Sequence, residues 1–234
     1  MDTRNRLEKE GFTIVEQLYG EAEMDHILAR ISSFNLAKKF GIRHFLKTYP
    51  ALTPLIFNEK LVTLVQDLAP GAQLIKSIYF DKPPQANWFV GWHQDLTINL
   101  RKKQEHSGFE HWRILPDRIV VQPPLNLLEN IFTIRIHLDD CTSKNGALRV
   151  VKYSHLEGSI DFTTDWKKAD SEEQSCEVMR GGALLMKPLV AHASRRTENQ
   201  LNRRVLHLEF SDILLPAGME WQEGLDLSPF TNSN

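Results

Sequence analysis

The sequence predicts an α+β domain, a helical first third packed against one outer face of a β-sandwich or barrel. Three observations predict it. Apolar residues recur at helical spacing over the first 70 or so positions, and short alternating or apolar runs take over after residue 73. Turn signals such as Pro70-Gly71, Asp139-Asp140 and Asn145-Gly146 separate the runs.

Taken in order, residues 11–15 (Gly-Phe-Thr-Ile-Val) are short, β-branched and aromatic, and read as a strand. Residues 21–34 place Met24, Ile27, Leu28 and Ile31 on one helical face. Two shorter helices are expected at 51–57 and 58–68, the second capped by Asn58 and stopped by Pro70-Gly71. Residues 74–80 form a strand ended by Lys82-Pro83-Pro84, and a loop through Asn87-Trp88 follows. Residues 131–138 alternate, with Ile134, Ile136 and Leu138 on one face and Thr133, Arg135 and His137 on the other. Further strands are expected at 147–151, 182–186 and 203–210. No composition shift, linker or repeat divides the chain, so residues 1–234 are expected to form a single domain, with 1–70 as helical support and 71–215 as the β core.

At 234 residues the chain is long enough to bury one good core. A net charge of −2 leaves no broad basic footprint, which argues against nucleic acid as a partner. The run Arg101-Lys102-Lys103 reads as a solvated loop or strand edge. Two cysteines, Cys141 and Cys176, are too few for a disulfide framework and suit a reducing compartment. No window reaches the roughly 20 apolar residues that span a bilayer, and the charged N-terminus is no secretory signal. A cytoplasmic protein without a membrane partner is expected.

The polar faces of two strands bear on function. Thr133/Arg135/His137 form one, and Arg203/Val205/His207/Glu209 the other. Such faces either look into a wet, functional interior or out to solvent. Elsewhere, in Gly91-Trp92-His93-Gln94-Asp95-Leu96, an imidazole and a carboxylate two residues apart share one side of an extended segment. They are two thirds of a facial triad for non-haem Fe(II), and His192 is the candidate for the third place. Ser194 lies two residues beyond it, and Arg203 eleven. An inward arginine needs an anion, and its planar fork suits a carboxylate such as the distal one of 2-oxoglutarate. A second His-x-Asp pair, His137-Leu138-Asp139, competes for the same role; spacing does not eliminate it.

The motifs in order resemble the phytanoyl-CoA dioxygenase family of Fe(II)/2-oxoglutarate oxygenases. The resemblance runs from Gly11-Phe-Thr-Ile-Val through Phe80-Asp81-Lys82-Pro83-Pro84 and Trp92-His93-Gln94-Asp95. It continues in His137-Leu138-Asp139-Asp140, Asn145-Gly146-Ala147-Leu148-Arg149-Val150 and Ser154-His155. It ends in Gly182-Ala183-Leu184-Leu185, Pro188, His192-Ala193-Ser194 and Arg203-Arg204. It implies a double-stranded β-helix, a jelly-roll or cupin-like barrel, with iron on His93, Asp95 and His192. It implies 2-oxoglutarate on Arg203, with Ser194 and Lys82 beside it, and demotes the pair at His137. Where the family has Pro-Gly-Ser-His, this chain has Lys152-Tyr153-Ser154-His155, which is expected to alter a turn and leave the metal site alone.

The implied activity is O₂-dependent hydroxylation of an unactivated C–H in a small molecule, with release of succinate and CO₂. Family halogenases carry a small residue where Asp95 stands, so halogenation is disfavoured. Residues 99–130 are expected to be a substrate-facing loop, with His106, His111, Trp112, Arg113, Gln122 and Pro123-Pro124 in it. Arg135, His137, Gln122 and Trp112 are the candidate substrate contacts. The alternatives are a metal- or ligand-binding barrel without oxidative chemistry, such as a sensor, and a metal-free structural domain with its histidines in the core.

Overall fold

The fold is that of a computed structural model describing residues 2–34, 36, 40–82, 89–164, 166, 172–198 and 201–231. The expected loop at Pro83-Pro84 and Asn87-Trp88 lies outside the described residues.

The chain opens with a helix that periodicity does not reveal, α1 (Thr3–Glu10), which buries only Leu7. Asp2 caps it by accepting from the Asn5 amide at 2.7 Å, and Gly11 ends it at φ 86°, a left-handed value glycine takes without strain. Then come β1 (Phe12–Val15) and α2 (Glu21–Ser32), whose buried face is Met24, Ile27 and Ile31. A short strand β2 (Gly41–Arg43) leads to one-turn helices α3 (Phe45–Thr48) and α4 (Thr53–Ile56), and to α5 (Glu59–Leu68). Strands follow: β3 (Gln73–Lys82), β4 (Val90–His93), β5 (Ile98–Leu100), β6 (Glu110–Leu115) and β7 (Arg118–Gln122). After helix α6 (Leu125–Glu129) come β8 (Ile131–His137), β9 (Leu148–Val151), β10 (Glu173–Cys176), β11 (Ala183–Met186), β12 (His192–Ser194) and β13 (Arg203–Ser211).

These strands pair antiparallel and make three sheets. One has six strands in the order β1-β11-β8-β13-β3-β2, one has four as β10-β9-β12-β4, and a third has three as β5-β7-β6. The third corrects the expectation for residues 99–130. That stretch holds three paired strands and a helix, not a loop; β6 is mostly exposed and lacks a buried alternating face, while β7 carries the β-branched apolar run Ile119-Val120-Val121, itself a strand signal.

The helices pack on one face of the six-stranded sheet. Met24, Ile27, Phe45, Leu61 and Val65 share a core with Ile134 and Ile136 of β8 and Leu206, Leu208 and Phe210 of β13. Period-two alternation then turns the polar residues of the same strands to the opposite face. They are not solvated: Thr133, His137, His207 and Glu209 are all at most 4 % exposed. The polar faces therefore look into the protein, which is costly unless they meet one another or a ligand.

Asn58 does two jobs at the start of α5. Its Oδ1 accepts from the Leu61 amide at 2.9 Å, and its Nδ2 donates to Glu23 of α2 at 2.8 Å. The same hydrogen bond is the main reason the Glu23 carboxyl sits below its usual range. Asn58→Ala removes the cap and this tie together. It is expected to cost about 1–2 kcal/mol in urea unfolding, where Asn58→Asp, which keeps the cap alone, costs less.

Candidate active site

Strands β4 and β12 lie side by side with His93 directly opposite His192. Directly opposed residues of an antiparallel pair point the same way, and the two imidazole centroids are 4.1 Å apart. Asp95 follows His93 by two residues and reaches the same place, its Oδ2 lying 3.7 Å from His192 Nε2. One ligand atom from each of His93, Asp95 and His192 falls within 4.8 Å of the others.

Gln94, between the two, points away and fastens the segment. Its Nε2 donates to the carbonyls of Leu189 (2.6 Å) and Gly158 (2.7 Å), and its Oε1 accepts from the Ile160 amide. The Asp95 amide donates to Pro188 at 2.9 Å, so residues 94–95 are tied to the chain just ahead of His192. Ser154 adds to this: its hydroxyl donates to Val151 and accepts from the Ala191 amide. Tyr153 before it takes φ 65°, so the altered turn is made with a tyrosine in a left-handed conformation.

The tautomers suit a metal. His93 Nδ1 lies 2.8 Å from the Gly91 carbonyl and His192 Nδ1 lies 2.9 Å from that of Val190. A carbonyl only accepts, so each Nδ1 carries the proton and each Nε2 presents a lone pair. Burial pushes His192 below its ordinary range despite the neighbouring Asp95, which keeps its ring neutral. Burial alone would raise Asp95, but His192, His207, Lys76 and His93 hold its carboxyl down in the ionised form. Two neutral imidazoles and a carboxylate fit Fe(II), with coordination positions left for ligands.

A second trio, Asp95, His207 and Glu209, is also close enough to share an ion. Its atoms are already engaged. Lys76 Nζ lies 2.8 Å from Glu209 and donates to the Thr97 carbonyl at 3.1 Å. Arg135 donates to His207 Nδ1 at 2.8 Å, which leaves Nε2 to donate to Glu209 at 2.9 Å. That place is filled by an ammonium and offers no free imidazole lone pair.

The trio of His93, Asp95 and His192 opens on a cavity of about 340 Å³, which Arg203, Lys82, Ser194 and Arg135 also line. Arg203 is opposite Lys82 in the β13–β3 register, so both project into it from one end of the six-stranded sheet. Arg203 donates to the Gly146 carbonyl, and Lys82 donates to that of Arg195 at 3.2 Å. Burial and the charge of Arg203 push Lys82 down to about 8, and the same two causes push Arg135 down to about 10. Cations gathered this closely around one cavity mark a niche suited to an anion.

The competing pair dissolves. Asp139 accepts from Arg204 at Nε (2.9 Å), Nη2 (2.6 Å) and the backbone amide (2.9 Å), so both its oxygens are committed. His137 is buried under Arg135 and Arg203, with neither ring nitrogen hydrogen-bonded among the described residues. Asp139→Asn is expected to leave metal affinity within about twofold. It should cost about 1–2 kcal/mol by loosening a half-buried ion pair, as calorimetric metal titration and urea melts would read.

Of the four expected substrate contacts only Arg135 lines the cavity. Trp112 donates to the Phe109 carbonyl and packs beside the Phe109 cluster. Gln122 and His137 are also outside the lining. Arg43, Lys76 and Arg118 line it and were not anticipated. For Lys76 the signal was present, since it shares parity with Lys82 along β3.

A family model described as phytanoyl-CoA dioxygenase matches residues 7–205. The chain belongs to this family. It is accordingly an Fe(II)/2-oxoglutarate-dependent oxygenase. Among solved structures, the epimerase SnoN of nogalamycin biosynthesis, in complex with Fe3+, alpha ketoglutarate and nogalamycin RO, is 13% identical. It has a TM-score of 0.69, over 97% of this chain and 94% of that one. The carbocyclase SnoK of the same biosynthesis is 14% identical, with a TM-score of 0.67 over 99% and 90% of the two chains. HygX from Streptomyces hygroscopicus, with nickel and 2-oxoglutarate bound, is 14% identical, with a TM-score of 0.66 over 91% and 86%. At these identities the likeness is one of fold. No curated protein sequence matches the chain. Among the described residues, no helix is long and apolar enough to cross a membrane.

Proposed function

We propose that this oxygenase hydroxylates an unactivated C–H bond of a small molecule, with His93, Asp95 and His192 holding Fe(II) and Arg203 holding the distal carboxylate of 2-oxoglutarate. The observation that carries the reading is one cavity joining the His93/Asp95/His192 donor set to the buried cations Arg203 and Lys82. We further propose that residues 1–234 form one domain, in which the six- and four-stranded sheets face each other as a double-stranded β-helix. The two free cysteines, Cys141 and Cys176, fit a reducing, cytoplasmic setting.

Held by His93, Asp95 and His192, Fe(II) would supply, with 2-oxoglutarate, the O₂ chemistry in which one oxygen atom goes to succinate with release of CO₂ and the other to a hydroxyl on the substrate carbon. The protein's residues do the rest. Nδ1–H donation to Gly91 and Val190 leaves both Nε2 atoms to face a metal, with one donor atom of each residue within 4.8 Å of the others. The Gln94 ties keep Asp95 at its distance from His192. Arg203 would orient the co-substrate through its planar fork; Lys82 and Ser194 line the same cavity.

Succinate formation from 2-oxoglutarate tests this directly. Protein reconstituted anaerobically with Fe(II) and then exposed to O₂ is expected to form succinate slowly without a prime substrate. Absence of both succinate and 2-oxoglutarate binding would reject the assignment in favour of a ligand-binding barrel.

A further inference from the structure

The cavity holds more positive charge than iron chemistry requires. Arg43, Lys76, Lys82, Arg113, Arg118, Arg135 and Arg203 line it, against two carboxylates, Asp95 and Glu209. Glu209 neutralises Lys76. Asp95 faces the proposed metal, and Arg203 with Lys82 faces the proposed co-substrate. Arg135 is engaged with His207. Three arginines are left over, and they cluster on other elements.

Arg43 comes from β2, at the edge of the six-stranded sheet, where it lies opposite Ile78 of β3. Along β3, Ile78 and Lys82 are four residues apart, roughly 13 Å of strand. Arg113 and Arg118 come from the three-stranded sheet. Val120 of β7 stands opposite both Arg113 and Asn99, and Arg118 shares its parity, so these four side chains face the cavity together. Arg118 bonds the exposed Asp117. Neither Arg43 nor Arg113 makes an ion pair or side-chain hydrogen bond among the described residues. Both side chains are exposed; partial burial and Arg118 push Arg43 below its ordinary range, against the opposing charge of Asp117. Three guanidinium groups lining one cavity, with the single carboxylate of Asp117 beside them, are arranged as anion-binding sites are.

We infer that Arg43, Arg113 and Arg118 form a substrate subsite for an anionic group, so that the prime substrate is a small organic acid or phosphate held by its charge at this wall. The inference rests on the oxygenase reading, since it is the metal at the other wall that makes this a substrate site. Asn99 and Thr97 add neutral polar groups to the cavity lining. One cationic end of the cavity then serves the co-substrate, and the other serves the molecule to be oxidised.

The test uses the full chain loaded with Zn(II), which does not turn over, and saturated with 2-oxoglutarate. Methyl phosphate, acetate and the neutral acetamide are titrated in and followed by saturation-transfer NMR on their methyl protons. At least one of the two anions is expected to bind without displacing 2-oxoglutarate, and acetamide is not; the stronger anion tells phosphate from carboxylate. In Arg43→Gln/Arg113→Gln the anion is expected to bind at least about tenfold more weakly, with circular dichroism reporting that the variant is folded. Equal binding of acetamide, displacement of 2-oxoglutarate, or unchanged anion affinity in the folded variant would overturn the subsite. Arg113→Gln alone serves if the double variant does not fold, and unchanged binding there has the same meaning. Failure of wild-type protein to bind 2-oxoglutarate would instead strike the assignment of the co-substrate site, and the anion titration in its absence still decides whether the arginines bind anions.

Discussion

His93→Ala is expected to abolish 2-oxoglutarate-dependent succinate formation and to weaken metal binding by well over about 100-fold. Loss of an outer partner of a metal ligand already costs about 10–100-fold, and this change removes a proposed ligand itself. His93 is the cleaner of the two histidines to test. It is only half-buried at the end of β4, whereas His192 is 4 % exposed within β12 and its loss would open a hole between strands. Metal affinity by calorimetry, beside urea stability, separates the two effects. A stable His93→Ala protein that kept its iron and its turnover would reject the assigned triad.

Arg203→Met is expected to weaken 2-oxoglutarate by roughly 100-fold, about 3 kcal/mol, with metal affinity held within about threefold. Methionine keeps much of the side-chain length, so the loss isolates the guanidinium. Arg203→Lys is not expected to restore affinity, because an ammonium lacks the planar fork and would sit in a niche where Lys82 is already pushed down to about 8. The readout is calorimetric titration of 2-oxoglutarate into nickel-loaded protein. Unchanged affinity would move the carboxylate site elsewhere in the cavity, with Arg135 as the next residue to test.

Much of this site was legible along the chain. His93 and Asp95 are two residues apart, so their common direction follows from strand geometry alone. The inward polar faces of β8 and β13 were likewise visible as alternation, although whether they met solvent or interior was not. Asn58 could be named as a cap because capping is local chemistry: the side chain meets an amide three residues on. The motifs taken together also carried the family, which short motifs taken singly do not.

Other elements left no such trace. Helix α1 buries one leucine in eight residues, so no periodicity marks it. Strand β6 is mostly exposed, with no buried alternating face, and pairing with β7 is what makes it a strand. The rival pair His137/Asp139 had the same spacing as His93/Asp95 and could not be dismissed by it. Arg204, 65 positions away, captures Asp139 and settles the matter. The proposed third ligand and the proposed anion-binding arginines belong to the same class.

The sequence by itself determined which side chains share a face, where helices and turns begin, and which family pattern the chain carries, because these depend on neighbours within a few residues. Only the tertiary structure decided that His192 lies opposite His93, that Arg203 meets Lys82, and that Arg43 joins Arg113 and Arg118 on one wall. Strand register between distant segments is set by the packing of whole sheets, and no local period encodes it.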